Sequence, residues 1–258
     1  MKKRNKIGCF ILSRLSSSRL PGKALMEIRG KPIVQHIIER ARLIPSSQVV
    51  ALCTSAEKSD DPLALTAKKC GADVYRGPLS DILKRFLGAA DKFGVDYFAI
   101  FSGDNLFCDP HLAELGIKQM LDNELDFLNV APDLVCGGTP YCVSVKALRK
   151  ACQLKSDDNT EYYPKFFNGN KEFKVANHLV DDPIYHNKNV RLTMDYPEDL
   201  KFVKRIFDEF DTDYNSMPLK KILELLKQKP EIVKINFVRH KDWAKNQIPM
   251  KVVGLVKK

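Results

Sequence analysis

The chain has 258 residues, of which 44% are hydrophobic and 29% are charged, and this composition excludes a fibrous, disordered or disulfide-scaffold protein. Four basic residues lie within 2–6, and 219–258 carries eleven basic against three acidic residues, so the net charge of +10 sits at the two ends. The slightly acidic body, and the lack of an apolar run long enough to cross a bilayer, argue against nucleic-acid and membrane partners.

Short apolar runs alternate with helical periodicity through the first half of the chain. The runs predict strands over 7–12, 48–53, 74–75, 97–101 and 126–130. Helices are predicted from Pro32, over 61–69 before Gly71, from Ser80 to Lys92 before Gly94, and from Pro110. This alternation predicts a three-layer α/β fold with a mostly parallel, Rossmann-like sheet, in which the C-terminal ends of the strands share one edge.

The pattern is less regular after residue 131. A strand is predicted over 141–145, extended segments over 173–176 and 190–194, and helices over 198–210 and 219–226. Because no internal repeat or low-complexity linker interrupts the chain, we expect one domain over 1–258. Within it, 131–190 is an irregular insertion, and 219–258 is a basic C-terminal segment whose simplest interpretation is a solvated tail.

The seven cysteines form no C-x-x-C pair, which excludes a zinc ribbon and a thioredoxin-like site. Cys9 and Cys53 lie inside apolar runs and are expected to be buried. Free thiols are typical of a reducing compartment, so the protein is expected in the cytoplasm.

The loop after the first strand, residues 13–23, combines four serines with three cations, Arg14, Arg19 and Lys23. Backbone N–H groups of small residues can surround an anion, and guanidinium and ammonium groups supply the donors that a triphosphate needs. The loop is not a Walker A motif, because G-x-x-x-x-G-K-[ST] is absent. It therefore indicates a triphosphate site, with a solvated basic loop as the alternative.

Asp104 follows the predicted strand 97–101, and Asp195 follows the extended segment 190–194. Both are expected at the sheet edge that carries the basic loop, where two carboxylates and phosphate oxygens would bind Mg²⁺. The alternatives are a turn aspartate for Asp104 and a helix N-cap for Asp195. On the residues alone these interpretations stay open for both aspartates, and we assign Asp199 to the first turn of the following helix.

Polar residues at other strand ends are further candidates for the nucleotide site. Thr54 and Ser55 end the second strand and could bind the base or ribose through their hydroxyl groups. Arg76 ends the next short strand. Asp81 and Arg85 are four residues apart, so the alternative to a ligand contact is an ion pair along one helix face.

The loop sequence SRLSSSRLPGKAL resembles the signature of the cytidylyltransferases that make CMP-activated acidic sugars, such as 3-deoxy-manno-octulosonate and acylneuraminate cytidylyltransferases. The resemblance is strongest to the branch that serves spore coat polysaccharide biosynthesis. Further matching segments follow in order over about residues 7–210: Gly30-Lys31-Pro32 to His36, Thr54-Ser55 with Asp60-Asp61, Arg76-Gly77 to Phe86, Gly103-Asp104, and Leu192-Thr193-Met194-Asp195 to Leu200. Two positions depart from the family pattern. Leu106-Phe107 stands where a proline is usual, and Glu161-Tyr162 stands where relatives often have Glu-His.

The resemblance implies transfer of CMP from CTP to a sugar acceptor, with pyrophosphate as the second product. Together with the resemblance, the positions of Asp104 and Asp195 favour a shared site for Mg²⁺ as cofactor. The acceptor would be an acidic sugar, such as a 3-deoxy-2-ulosonic or nonulosonic acid, for surface polysaccharide or glycoconjugate synthesis. The catalytic residues would be Arg14, Arg19, Lys23 and Asp104. The nucleotide would be bound by Leu12, Ser13, Ser17, Ser18, Thr54, Ser55, Arg76, Asp81 and Arg85.

Relatives also dimerise through the region of the 131–190 insertion. Its aromatic residues are Tyr141, Tyr162, Tyr163, Phe166, Phe167 and Phe173. If helices already cover the sheet, these rings need another partner, so we predict a two-fold homodimer.

Three other functions are considered. A glycosyltransferase on a related sheet would consume a nucleotide sugar and use a D-x-D sequence, but Asp211-Thr212-Asp213 follows a helix and fits a polar turn better. A related nucleotidyltransferase would act on a phosphorylated polyol. A basic-tailed interaction protein would depend on 219–258 and not on the 13–23 loop. Pyrophosphate release from CTP separates the nucleotidyltransferases from the glycosyltransferase and from the interaction protein.

Overall fold

The computed structural model describes residues 4–210 and 217–245. In chain order the strands are β1 (Ile7–Leu12), β2 (Glu27–Ile28), β3 (Lys31–Pro32), β4 (Ser47–Ser55), β5 (Asp73–Gly77), β6 (Tyr97–Ser102), β7 (Phe127–Asn129), β8 (Tyr141–Ser144) and β9 (Val175–Asn177). The α-helices are α1 (Ile33–Ala41), α2 (Asp61–Lys69), α3 (Ile82–Phe93), α4 (Pro110–Asp122), α5 (Val145–Leu154), α6 (Pro197–Asp208), α7 (Leu219–Gln228) and α8 (Pro230–Phe237).

Seven strands form one sheet in the order β5-β4-β1-β6-β8-β7-β9, and β2 and β3 form a separate small hairpin. In the seven-stranded sheet only β8 runs antiparallel to its neighbours. Strands β4 and β5 are added in turn on one side of β1, and the chain then crosses to β6, which pairs with the other side of β1. The C-terminal ends of β1 and β6 therefore flank a topological switch point, the usual ligand crevice of such sheets. The predicted mostly parallel α/β sheet is confirmed.

The sheet separates two apolar cores because alternate strand residues point to opposite faces. Cys9 and Ile11 of β1 join the core that packs under α1, α2, α4, α6, α7 and α8. Phe10, between them, joins the core under α3 and α5. This near-complete burial of β1 explains why its sequence is a continuous apolar run.

The aromatic residues of 131–190 cover part of the second face. Phe167 stacks on Phe127 of β7 with ring centroids 4.4 Å apart, and Tyr163 meets Phe86 of α3 at 5.8 Å. Phe173 packs in turn against Phe167. The argument that these rings need a second copy is therefore wrong, because they complete the core of their own chain. The homodimer itself stays a prediction.

Local boundaries differ from the sequence predictions in a few places. Helix α3 is capped by Asp81 and not by Ser80. The segment 190–194 is not a strand of the sheet; it forms an isolated β-bridge between Cys136 and Arg191, and its Met194 N–H donates to the Asp104 carbonyl. None of the helices that the structure describes is long and apolar enough to span a membrane. The Asp211-Thr212-Asp213 sequence lies outside the described residues.

Candidate functional site

The loop 13–23 leaves the C-terminal end of β1 and turns back around Leu15. The Leu15 carbonyl accepts the N–H groups of Ser17 (2.8 Å) and Gly22 (3.2 Å). Gly22 has φ +69°, a left-handed conformation that glycine adopts without strain, and it starts the short 3₁₀ turn Lys23–Leu25. The glycine of the Pro-Gly-Lys sequence thus directs Lys23 back across the sheet edge.

The ammonium group of Lys23 lies among three oxygen atoms. Its Nζ donates to the carbonyl oxygen of Met194 at 2.6 Å and lies 3.3 Å from Oδ1 of Asp195 and 3.6 Å from Oδ2 of Asp104. The Lys23 side chain is only 12% exposed. Residues that are far apart in sequence therefore converge on a single cation.

The two predicted aspartates meet, although only one follows a strand of the sheet. Asp104 follows β6, and its backbone carbonyl accepts the N–H of Met194 at 2.8 Å. The Asp195 carboxylate accepts a hydrogen bond from Arg19 at 2.7 Å as well as from Lys23. The N-cap interpretation of Asp195 is wrong, because the N-cap residue of α6 is Tyr196. The carboxylate of Asp199, in the first turn, accepts the backbone N–H groups of Asp195 and Tyr196.

The two carboxylates have opposite electrostatic environments. Burial raises the pKa of Asp104; Lys23 opposes this rise, and the negative charge of Asp195 adds to it. Burial would also raise the pKa of Asp195, but the charges of Lys23 and Arg19 outweigh it, so that pKa is lowered. The pair therefore consists of one firmly ionised carboxylate and one that is easier to protonate.

The donor set around Lys23 fits Mg²⁺. It consists of hard oxygen atoms only, two of them from carboxylates that already converge on a positive charge. Within 4–210 and 217–245, no cluster of three or more His, Cys, Asp and Glu side chains could hold a metal. A magnesium ion at this place would use Asp104 and Asp195 and take its other ligands from phosphate oxygens and water.

The remaining cations of the loop are also paired. Arg14 forms an ion pair with Glu161 at 2.7 Å. Arg19, besides contacting Asp195, places its guanidinium 5.5 Å from the ring centroid of Tyr196. Each cation of the loop thus has a carboxylate partner that a triphosphate would have to replace.

The serines of the loop have different environments. Ser13 is buried against Gly103, whose N–H donates to the carbonyl of Leu12 at 2.8 Å. The Ser17 hydroxyl accepts a backbone N–H within the loop, at residue 20. Ser18 is exposed. Contacts of Leu12, Ser13, Ser17 and Ser18 with a nucleotide stay predictions.

Thr54 and Ser55 stabilise the 13–23 loop indirectly, through Asp60. Both are fully buried, and their hydroxyl groups donate to Oδ2 of Asp60, with 3.0 Å for Thr54. The other oxygen of Asp60 accepts the N–H of Leu15 at 2.8 Å. Arg76 adds a hydrogen bond to the Ser55 carbonyl at 2.9 Å. These hydroxyl groups donate to Asp60, and their contact with a base or ribose stays a prediction. Asp60 is the residue whose role as a loop anchor sequence reasoning missed.

Asp81 and Arg85 do not form the ion pair that their spacing allows. Asp81 caps α3 and pairs with Lys155. Arg85 is buried and donates to the carbonyl groups of Pro78, at 2.6 and 3.0 Å, and of Leu79. Both residues thereby shape the 77–81 turn that borders the loop, and direct contact with a nucleotide stays a prediction.

Comparison with known proteins identifies what this arrangement is similar to. A family model described as cytidylyltransferase matches residues 9–234. The spore coat polysaccharide biosynthesis protein SpsF of Bacillus subtilis is 25% identical over 213 residues, which cover 80% of this chain and 88% of that protein.

Two solved structures share the fold. A cytidylyltransferase from Leptospira borgpetersenii aligns with a TM-score of 0.82 at 24% identity, over 89% of this chain and 97% of that one. The structure of CMP:2-keto-3-deoxy-manno-octonic acid synthetase complexed with CTP aligns with a TM-score of 0.62 at 18% identity, over 80% and 99% of the two chains.

Proposed function

Because the chain belongs to the cytidylyltransferase family, and is thus a nucleotidyltransferase that uses CTP, we propose that it transfers CMP to an acidic sugar and releases pyrophosphate. The names of SpsF and of the octonic acid synthetase support an acidic sugar acceptor in polysaccharide synthesis. The observation that carries the proposal is the convergence of Lys23, Asp104 and Asp195 at the switch point of the sheet.

The triphosphate would lie along the 13–23 loop. Arg14 and Arg19 would exchange their carboxylate partners for phosphate oxygens, and Lys23 would supply a compact positive charge beside the α-phosphate. Asp60, through the Leu15 N–H, would keep the loop in this shape while the ion pairs exchange. The chain therefore offers positioning and charge compensation, which phosphoryl chemistry needs most.

The reaction is an in-line displacement. The acceptor hydroxyl forms a bond to the α-phosphorus and loses its proton to water, while the bond between the α-phosphorus and the pyrophosphate oxygen breaks. Mg²⁺ held by Asp104 and Asp195 would neutralise phosphate charge and orient the acceptor oxygen. Lys23 would then stabilise the negative charge that grows on the phosphate oxygens.

The test is a panel of acceptors with each nucleoside triphosphate. We expect pyrophosphate release with CTP and Mg²⁺ only when a 3-deoxy-2-ulosonic or nonulosonic acid is present. Phosphorylated polyols and neutral sugars are the comparison acceptors. Release with a phosphorylated polyol alone would replace the proposed acceptor class, and hydrolysis of a CMP-sugar without release from CTP would favour a glycosyltransferase.

Lys23 gives the matching test within the site. Lys23→Met keeps most of the side-chain length and removes the charge that meets both aspartates. We expect a loss of turnover of about 100- to 1,000-fold, as for a lost oxyanion donor. Lys31→Met, which removes an ion pair with Glu39 on the protein surface, is the control and should keep normal kinetics.

A further inference from the structure

The segment that carries Asp195 is held by a buried polar cluster that extends beyond the matched family region. The cluster consists of Arg191, Asp199 and Asn236, which are 3%, 0% and 2% exposed. Asn236 lies in α8, past the end of the family match at residue 234. Its contribution is therefore a feature of this chain that the family assignment does not describe.

Asp199 is the centre of the cluster. Its Oδ2 accepts the backbone N–H groups of Asp195 and Tyr196, both at 2.8 Å, and one guanidinium nitrogen of Arg191 at 3.0 Å. Its Oδ1 accepts the second guanidinium nitrogen of Arg191 and the side-chain amide of Asn236, the latter at 3.0 Å. The carboxylate thus fixes the direction in which Asp195 leaves the backbone.

Asn236 joins the two sides of this turn. The same amide nitrogen that donates to Asp199 also donates to the backbone carbonyl of Arg191 at 3.0 Å. The turn between residues 191 and 199 is therefore tied to α8 at both ends. A buried network with several hydrogen bonds across the turn restricts it to one conformation.

A second contact from the same region reaches the neighbour of Asp195. The guanidinium of Arg239 lies 5.5 Å from the ring centroid of Tyr196, the ring that Arg19 of the loop also approaches at 5.5 Å. Arg239 also pairs with Glu198 of α6 at 3.0 Å. The residues after α8 are thus packed on the segment that presents Asp195.

We propose that Asn236 is a positioning residue for the reaction: acting through Asp199, it orients the Asp195 carboxylate toward Lys23 and Arg19. The inference rests on the proposed role of Asp195. It assigns to the C-terminal segment a part in the site, although no residue of that segment needs to touch the substrate. Groups that orient a ligand-bearing side chain typically matter by about 10- to 100-fold in activity.

The kinetic test uses Asn236→Leu, which keeps a similar volume and removes the donor, with Asn236→Ala as the second variant. We expect kcat to fall by about 10- to 100-fold while KM for CTP changes little, because the loop cations are kept. Ile232→Ala, buried at 1% exposure in the same helix, is the control for lost packing. Well below its melting temperature it should keep a normal kcat. Equal kcat in the Asn236 and Ile232 variants would overturn the positioning role.

A second measurement needs no turnover. Hydrogen exchange of the full chain without ligands should be faster in Asn236→Leu for the Asp195 and Tyr196 amides, which donate to Asp199. Amides of β1 and β6 should be unchanged. Unchanged exchange at 195–196 would overturn the inference whatever the activity. Faster exchange in Asn236→Leu, together with wild-type protein that releases no pyrophosphate with any acceptor, would leave the link intact and reject the proposed function instead.

Discussion

At the scale of single residues, the site is balanced in charge before any ligand binds. Arg14 pairs with Glu161 and Arg19 with Asp195, while Lys23 contacts both Asp195 and Asp104. A triphosphate can bind each of these cations only by displacing the carboxylate that the cation contacts. The affinity for CTP therefore depends on how weakly each acid holds its cation, and exposed pairs are the weakest.

Glu161 offers the most accessible test of this balance. Its side chain is 44% exposed and that of Arg14 is 35% exposed, so the pair contributes about 1 kcal/mol or less. Glu161→Gln should free Arg14 and lower KM for CTP by about two- to fivefold, the factor that corresponds to a binding free energy of this size. Glu172→Gln, which removes an exposed pair with Lys150, is the control and should leave KM unchanged. A higher KM in Glu161→Gln would show that Glu161 assists binding.

The two aspartate variants should differ in stability, although we expect both carboxylates to be needed for turnover. The pKa of Asp195 is lowered, so its charged form stabilises the fold at neutral pH, and this stability is lost as pH falls through its folded pKa. The pKa of Asp104 is raised, so its charged form opposes folding at neutral pH. Asp195→Asn should therefore melt lower than wild type at pH 7, and Asp104→Asn should melt at the same temperature or higher.

Kinetics of the same variants test the shared metal site. Each change should reduce kcat by about 100-fold or more, and the double variant should be little worse than either, because both losses act on one ion. The measurement is kcat against Mg²⁺ concentration. An active Asp195→Asn enzyme that still responds to Mg²⁺ would leave Asp104 as the only metal ligand of the pair.

Sequence reasoning found the charged residues of the site but not the residues that hold them. Lys23, Asp104 and Asp195 follow strand-like segments, and chemistry at the ends of parallel strands is expected to meet. Asp60 was missed as a loop anchor because its partner is a backbone N–H, which has no signature in sequence. The ion pair of Asp199 with Arg191 was missed because the two residues are eight apart, a spacing that no regular helix or strand brings into contact.

At the scale of elements, the ends of β1 and β6 must approach closely for the site to form. A Cβ atom on Gly103 would lie 2.3 Å from Oγ and 2.5 Å from Cβ of Ser13, and 3.1 Å from the Leu12 carbonyl oxygen. Gly103→Ala should therefore displace the start of the loop from Asp104 and lower kcat/KM by about 100-fold, as for a 1 Å misplacement. Adding Ser13→Gly to Gly103→Ala should recover part of the activity.

Gly94 provides the control for this substitution. It has φ +65° at the end of α3, and a Cβ atom there would meet open space. Gly94→Ala should cost about 1 kcal/mol of stability through backbone strain and leave kcat/KM unchanged. Equal activity of the Gly94 and Gly103 variants would contradict a close-approach role for Gly103.

Helices α5 and α8 were missing from the sequence predictions for different reasons. Helix α5 follows β8 without a loop, since Ser144 both ends the strand and caps the helix, so the apolar pattern of 141–145 continues into helical residues. Helix α8 begins at Pro230, directly after α7, and its eight residues are too few to show a clear periodicity. Elements bounded by Gly and Pro, such as α2 before Gly71, were predicted within a residue because the boundary signal is local.

At the scale of the whole molecule, charge proved a poor guide to packing. The basic segment after residue 219 is not a solvated tail over its described part, because α7 contributes Leu219, Ile222 and Leu223 to the first core. The lysines of its two helices, Lys220, Lys221, Lys227 and Lys234, are exposed. The homodimer prediction now rests on family resemblance alone, and the mass in solution from light scattering at micromolar concentration would test it.

Acid stability of the fold should depend on His178. The residue follows β9, is 2% exposed, and donates from Nε2 to the Pro140 carbonyl ahead of β8 at 2.9 Å. Burial lowers the pKa of His178 to about 4, so the ring is neutral in the folded protein at neutral and mildly acidic pH. In the unfolded chain its pKa is about 6.5. The unfolded state therefore binds the proton first, and stability falls as pH decreases from about 6.5 toward 4.

Urea unfolding of the full chain at pH 7.5 and pH 5 measures this contribution. His178→Gln retains a donor toward the Pro140 carbonyl but cannot be protonated, so its loss of stability between the two pH values should be about 2 kcal/mol smaller than in wild type.

His186→Gln is the control of opposite sign. Contacts with the Val180 carbonyl and Asp133 raise the pKa of His186, so its contribution is present in acid and is lost as pH rises through that pKa. The His186 variant should decline in acid at least as steeply as wild type, whereas parallel declines of wild type and His178→Gln would exclude His178 as the group responsible.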